Sequence, residues 1–284
     1  SELGYMSKAQ DDLNIAYNDL DEYISDLKHA LTKKHEPYEK IGLKKGDKHI
    51  QINDSIIQIE NEYYSSIRPK RVVQSGQRPI NVLKNKGIEY IEVRCLDNNP
   101  FLRGSIDKHT AYFIEAYLMV SLIDENYPFD ATRIKEIQDN WQNTVRDGRD
   151  PNLLLKRDGK TISVKDTAEE VFSKIYDYAY ALPIEADDLK KKILRSLDIQ
   201  KAKLRNSDLT PSGMILKEME EKNITWDEFC NNRAEINNKY YEVLKKDTTN
   251  IKISAEASLQ EFQDLESSKE VDFDTFLKDY LNAI

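Results

Sequence analysis

Ile88-Glu89-Tyr90-Ile91-Glu92-Val93-Arg94-Cys95-Leu96 is the stretch whose period decides the fold. Side chains alternate faces along a strand, so position parity sorts them. Glu89, Ile91, Val93 and Cys95 make one set, which reads as a core face with no chemistry expected of the thiol. Ile88, Tyr90, Glu92 and Arg94 make the other, and it sets a carboxylate beside a guanidinium on an otherwise apolar strand. Asp97-Asn98-Asn99-Pro100 stops the pattern.

Working upstream, the same period predicts strands over His49 to Asn53 and Ile56 to Ile67. Continued to Lys70, the even positions form a polar face that carries Glu60, Glu62, Tyr64, Arg68 and Lys70. Two such strands side by side would pool carboxylates and cations. Hard divalent ions take carboxylate oxygens, and Arg and Lys clamp phosphoryl or carboxylate groups. The combination suits a magnesium nucleotide or an acyl phosphate. A solvated sheet face with cross-strand ion pairs is the other reading of the same letters. Gly76-Gln77-Arg78-Pro79 breaks the strand pattern, and a short helix over Ile80 to Asn85 is expected to end at Gly87.

The flanks read as helix. Asn18 is the expected cap of a helix to residue 32, with Leu20, Tyr23, Ile24, Leu27 and Leu31 on one face. Ile106 to Asp124 is apolar almost all round and is expected to be buried. Further helices are predicted over Asp130 to Arg146, Lys165 to Ala181, Glu185 to Leu197 and Pro211 to Lys222. Asp158-Gly159 marks a short hairpin. Thr225-Trp226-Asp227-Glu228 is a capping box for a helix to about Lys246, and Val271 to Ala283 closes with a short amphipathic one. Trp141, Trp226 and Cys230 read as packing residues. His29, His35, His49 and His109 show no ligand spacing.

Composition agrees. Of 284 residues only 9 are Gly and 8 are Pro, about half the usual share, so long elements are expected. The net charge of −9, without a basic block, argues against nucleic-acid binding. The longest apolar run, Ala111 to Ile123, contains Glu115 and falls short of a membrane span. No signal peptide is read at the start. Two cysteines exclude a disulfide scaffold, and the expected setting is the reducing cytoplasm.

The literal strings add a resemblance. Ile88 to Phe101 resembles the signature of the proteobacterial type of glutamate–cysteine ligase. Leu13-Asn14-Ile15, Tyr38-Glu39-Lys40-Ile41-Gly42, Gln51-Ile52-Asn53, Gln58-Ile59-Glu60-Asn61-Glu62 and Ile67-Arg68-Pro69-Lys70-Arg71 follow the same family in order and spacing. The resemblance is dense over residues 1 to 101 and thin from there on. It implies an α+β fold, mostly helical, with a few antiparallel strands belonging to a glutamine-synthetase-like sheet funnel. Members are about twice as long, so residues 1–284 resemble the C-terminal portion. Within it, 1–101 would be the strand-containing active-site part and 102–284 the helical part.

The implied reaction joins the γ-carboxylate of L-glutamate to L-cysteine with ATP and Mg²⁺, through a γ-glutamyl phosphate. Residue by residue, Glu92 matches a metal-binding carboxylate and Arg94 a catalytic arginine facing the phosphoryl or glutamyl group. Tyr5 and Tyr64 match tyrosines at the cysteine pocket. Arg68 is carried over to the substrate and Lys70 to the nucleotide. A separate N-terminal half is an implied partner, and the chain alone is expected to be inactive. A non-catalytic interaction or regulatory remnant of the same fold is the alternative.

Overall fold

A computed structural model describes residues 10, 13–74, 76–125, 128–243, 248–268 and 271–284. The first part of the chain runs α1 (Leu20–Thr32), α2 (Glu36–Ile41), β1 (Lys44–Lys45), β2 (Lys48–His49), β3 (Ile67–Lys70), α3 (Pro79–Lys86) and β4 (Tyr90–Val93). Then come α4 (Lys108–Ile123), α5 (Ala131–Asp147), β5 (Leu154–Arg157), β6 (Lys160–Ser163), α6 (Val164–Ala181) and α7 (Asp187–Arg205). The last four are α8 (Pro211–Lys222), α9 (Trp226–Val243), α10 (Thr249–Ser267) and α11 (Phe273–Asn282). The fold is thus α+β and mostly helical. Among the described residues its strands pair antiparallel as three two-stranded ribbons, β1–β2, β3–β4 and β5–β6.

Capping chemistry sets most helix starts. Asp19, not Asn18, caps α1, accepting the Glu22 N–H at 2.8 Å. Asn18 instead faces Phe129, donating to its carbonyl at 3.1 Å and accepting its N–H at 2.7 Å. Thr225 and Glu228 close the capping box: the Glu228 carboxylate accepts the Thr225 N–H at 2.8 Å, and the Thr225 hydroxyl accepts the Glu228 N–H at 3.3 Å. Asp158 and Gly159 sit at φ of 53° and 75°. Two successive left-handed residues make the tight turn that a two-residue hairpin needs.

Two apolar cores result. In the first, α1 buries Tyr23, Ile24, Leu27, Ala30 and Leu31 against Ile56, Ile57, Tyr63 and, from α3, Ile80 and Leu83. In the second, Ala116 and Val120 of α4 meet Phe172, Ile175 and Ala179 of α6 and Ile193 and Leu197 of α7. The chain then returns, because α11 and Ile284 pack on the first core.

Several expectations are corrected. Residues 56–66 are not a strand: Ile56 and Ile57 are consecutive and both buried, unlike a strand with one polar face, and Glu60–Glu62 is a single 3₁₀ turn. Only Lys48–His49 of the first predicted strand pairs. The Ile88-to-Leu96 strand shortens to Tyr90–Val93. In α4 only Ala116 and Val120 are buried, and Leu122 and Ile123 are exposed. Cys95 and Cys230 are both exposed, and Trp141 and Trp226 are about half exposed. The helices α2 and α10 have no counterpart among the expected elements.

Ile175 is fully buried between α4 and α7. Truncating Ile175→Ala is expected to lower the unfolding free energy by about 3 kcal/mol, read by chemical denaturation. A loss below about 1 kcal/mol would show that the second core does not pack as described.

Candidate active site

The site ribbon is β3–β4. Its register pairs Ile67 with Val93, Arg68 with Glu92, Pro69 with Ile91 and Lys70 with Tyr90. The ladder continues past the strand ends, with Arg94 N–H donating to the Ser66 carbonyl at 2.8 Å and Glu89 N–H to the Lys70 carbonyl at 2.9 Å. Paired residues share a face, and so do residues two apart. Arg68, Lys70, Tyr90, Glu92 and Arg94 therefore belong to one face.

Tyr64 reaches the same place from the turn that precedes β3. Its ring lies 4.8 Å from the Arg94 guanidinium carbon, within cation–π range. The ring is about half exposed and Arg94 is exposed. Two residues carried over separately, a phenol and a guanidinium, are thus in contact. Glu92 is partly buried. Tyr5 lies outside the described residues.

Arg68 takes a different position from the substrate-facing one expected of it. It is 6% exposed, and its Nη2 donates to the Glu60 carbonyl at 3.1 Å. Burial pushes the Tyr23 phenol up to about 12, with Tyr17 adding to the rise and the neighbouring Arg68 pulling it back. Arg68 is therefore a buried cation on the face it shares with Glu92, bound to the Glu60 backbone rather than open to substrate.

Glu60 is not on a solvent face either. Its Oε1 accepts from Arg78 Nε at 3.0 Å, and the two side chains are only 2% and 1% exposed. The Arg78 guanidinium carbon stacks 4.1 Å from the ring centre of Tyr280 on α11. Sequence reading missed Arg78 altogether, because it sits in a turn and its partner lies 18 positions earlier. Glu62 serves locally, its Oε2 accepting the Gln58 N–H at 2.6 Å. On the outer side of β3, the Ile67 carbonyl accepts from the Ser65 hydroxyl at 2.6 Å and the Tyr17 hydroxyl at 3.0 Å.

The segment after β4 is held by α9. Phe101 stacks edge-on against Phe229 at 5.9 Å and lies under Arg233 at 4.4 Å. Arg103 lies 3.3 Å above the Tyr240 ring, and the Tyr241 hydroxyl donates to the Arg103 carbonyl at 3.1 Å. The helical part thereby fixes the exit of the site strand.

Among the described residues, no group of three or more His, Cys, Asp or Glu is placed to hold a metal ion. A hard divalent cation takes about six oxygens, so Glu92 is at most one of them.

Residues 1–144 match the glutamate–cysteine ligase family. The chain belongs to that family. The ligase of Pseudomonas paraeruginosa is 37% identical over 287 residues, covering all of this chain and 54% of that protein. The crystal structure of the Francisella tularensis glutamate–cysteine ligase in complex with AMP superposes with a TM-score of 0.86. It is 32% identical and matches over 98% of this chain and 55% of that one. A bifunctional glutathione synthetase from Pasteurella multocida shares the fold alone, with a TM-score of 0.56 and 14% identity. The chain spans about half the length of the curated relatives it matches.

The buried pair and the half-buried Glu92 carboxylate separate cleanly by mutation. Glu60→Gln leaves the Arg78 charge buried without its counter-charge and is expected to cost about 3–5 kcal/mol. Glu92→Gln should cost less than about 1 kcal/mol. Denaturation of both variants checks this, and equal losses would reject the assignment of Glu60 to the interior.

Proposed function

We propose that this chain supplies the C-terminal portion of a glutamate–cysteine ligase, with residues 1–101 as the site-bearing part and 102–284 as the helical part. The observation that carries the reading is the β3–β4 ladder, which brings Glu92, Arg94 and Tyr64 together within a chain so similar to the AMP-bound relative. The strands would be part of a larger sheet funnel completed by the rest of the enzyme.

In this reading the γ-carboxylate of glutamate attacks the terminal phosphorus of ATP, releasing ADP and forming a mixed anhydride. The cysteine amine then attacks the γ-carbonyl carbon, and phosphate leaves as the amide forms. Each step places negative charge on phosphoryl or carbonyl oxygens. A fixed guanidinium such as Arg94 stabilises that charge where it develops. Tyr64, packed against Arg94, holds the guanidinium and offers its hydroxyl to the cysteine carboxylate. Lys70 adds a cation on the same face for the nucleotide.

Arg68 contributes by fixing β3 through the Glu60 carbonyl. Glu92 is one carboxylate toward Mg²⁺, whose ligand set the described residues do not complete, and no step is assigned to the metal. Among the described residues no helix is long and apolar enough to cross a membrane. The substrates, ATP and free amino acids, point to the cytoplasm.

A separate N-terminal half is the partner this reading calls for. Several apolar side chains on and beside the ribbon are exposed, among them Ile88, Tyr90, Ile91 and Leu96, and a two-stranded ribbon is marginal by itself. The chain alone should form no γ-glutamylcysteine. Joined to the missing portion it should do so with ATP, and Arg94→Ala should lower kcat/KM by about 10²–10³-fold. Product from the isolated chain, or full activity with Arg94→Ala, would overturn the reading. The non-catalytic alternative predicts no product in either state.

A further inference from the structure

Three cavities border α11. One of about 670 Å³ lies between its start and the β1–β2 hairpin, lined by His49, Phe273 and Asp274. A second of about 450 Å³ separates Phe276 and Tyr280 from Ile59 and Pro79. A third of about 440 Å³ runs between Tyr280 and the start of α3. Leu277 is the helix's one buried residue. An element flanked by unfilled space and anchored by little apolar area opens at lower free energy than the core beneath it.

What holds α11 is mostly polar, and it sits at the two ends. At the N-terminal end Asp274 accepts from His49 Nε2 at 2.5 Å and pairs with Lys44 at 3.3 Å. The imidazole, and then Lys44, hold the Asp274 carboxyl below the usual range. Asp272 caps the helix through the Thr275 N–H. At the C-terminal end Tyr280 covers the Arg78 guanidinium, and Asn81 donates to the Ala283 carbonyl at 2.5 Å.

The C-terminal anchor leads to the site. Tyr280 shields Arg78, Arg78 holds the Glu60 carboxylate, and the Glu60 carbonyl holds Arg68, which is the ladder partner of Glu92. Arg78 also opens α3, and α3 feeds directly into β4. Two routes therefore run from one helix to both strands of the ribbon.

We infer that α11 is a strap that opens as a unit, and that its closure positions the β3–β4 ribbon through Tyr280, Arg78, Glu60 and Arg68. In the open state Arg78 loses its aromatic cover and water reaches the buried pair. Glu60 and Arg68 then no longer hold β3 in register with β4. The regulatory meaning, control of a catalytic ribbon by a distant helix, rests on the ligase reading. The coupling itself does not.

Hydrogen–deuterium exchange on this chain, without substrates, tests it. Amides of α11 should exchange ahead of those of α1, α6 and α7. Asp274→Asn should speed α11 exchange by about threefold, the scale of an exposed charged contact. Tyr280→Leu should speed it by about tenfold, and Tyr280→Phe, which keeps the ring over Arg78, should restore protection. With Tyr280→Leu, residues 67–70 and 90–93 should lose protection together with α11 while α6 and α7 stay unchanged. Equal protection of α11 and α1 would overturn the strap. Faster exchange of α11 with the ribbon unaffected would overturn the coupling, as would a general loss that includes α6 and α7. None of these readings depends on catalysis, so a failed ligase assay leaves the strap standing and a failed strap leaves the ligase reading intact.

Discussion

The first part of the chain turns on one buried ion pair, Glu60 with Arg78. Neither side chain reaches solvent, and the backbone of the same glutamate is the acceptor for Arg68. A buried pair contributes little net stability compared with an apolar replacement, but losing one partner is costly. Its effect here is geometric. It ties a 3₁₀ turn, the strand β3 and the start of α3 to a common point, and β4 follows α3 by only a few residues. Glu92 and Arg94 are presented by a ribbon that this pair supports through Arg68 and α3.

Legibility in the sequence tracked how local each cause was. Caps and turns act over three or four residues, so the Thr225–Glu228 box, the Asp158-Gly159 turn and Pro211 at the start of α8 could all be read. The face shared by Glu92 and Arg94 could be read for the same reason, since parity is a local rule. Residues 56–66 misled because alternating polar and apolar letters also arise when an irregular segment drops side chains into a core from several angles. Tyr64 meets Arg94, and Arg78 meets Glu60, only through chain reversals that no local pattern records. Apolar content alone overstated the burial of α4, because composition does not say which neighbours are present. The whole of α10 escaped notice, and none of its residues is buried.

The two cores divide the labour. Residues 13–83 pack around α1 beneath the site ribbon, and α4, α6 and α7 pack by themselves. Contacts outside both cores hold the connecting segments. Asn18 clasps the Phe129 backbone from both sides, and α9 grips Phe101 and Arg103 just past β4. The chain's last helix crosses back to the first core, so residues more than 200 positions apart close the same unit.

The ladder between Ser66 and Arg94 also fixes which backbone groups look outward. Ser66, Arg68 and Lys70 turn theirs toward β4, which leaves Ile67 and Pro69 on the far rim of β3. There the Ile67 carbonyl is occupied by two hydroxyls, and Pro69 has no N–H to give. On the opposite rim Ile91 and Val93 turn both an amide and a carbonyl away from β3. Lateral growth of this sheet is therefore one-sided: an added strand finds a bonding rim along β4 and a blunted one along β3. In a wider sheet β4 becomes an interior strand and β3 stays the border, so Glu92 and Arg94 sit toward its middle.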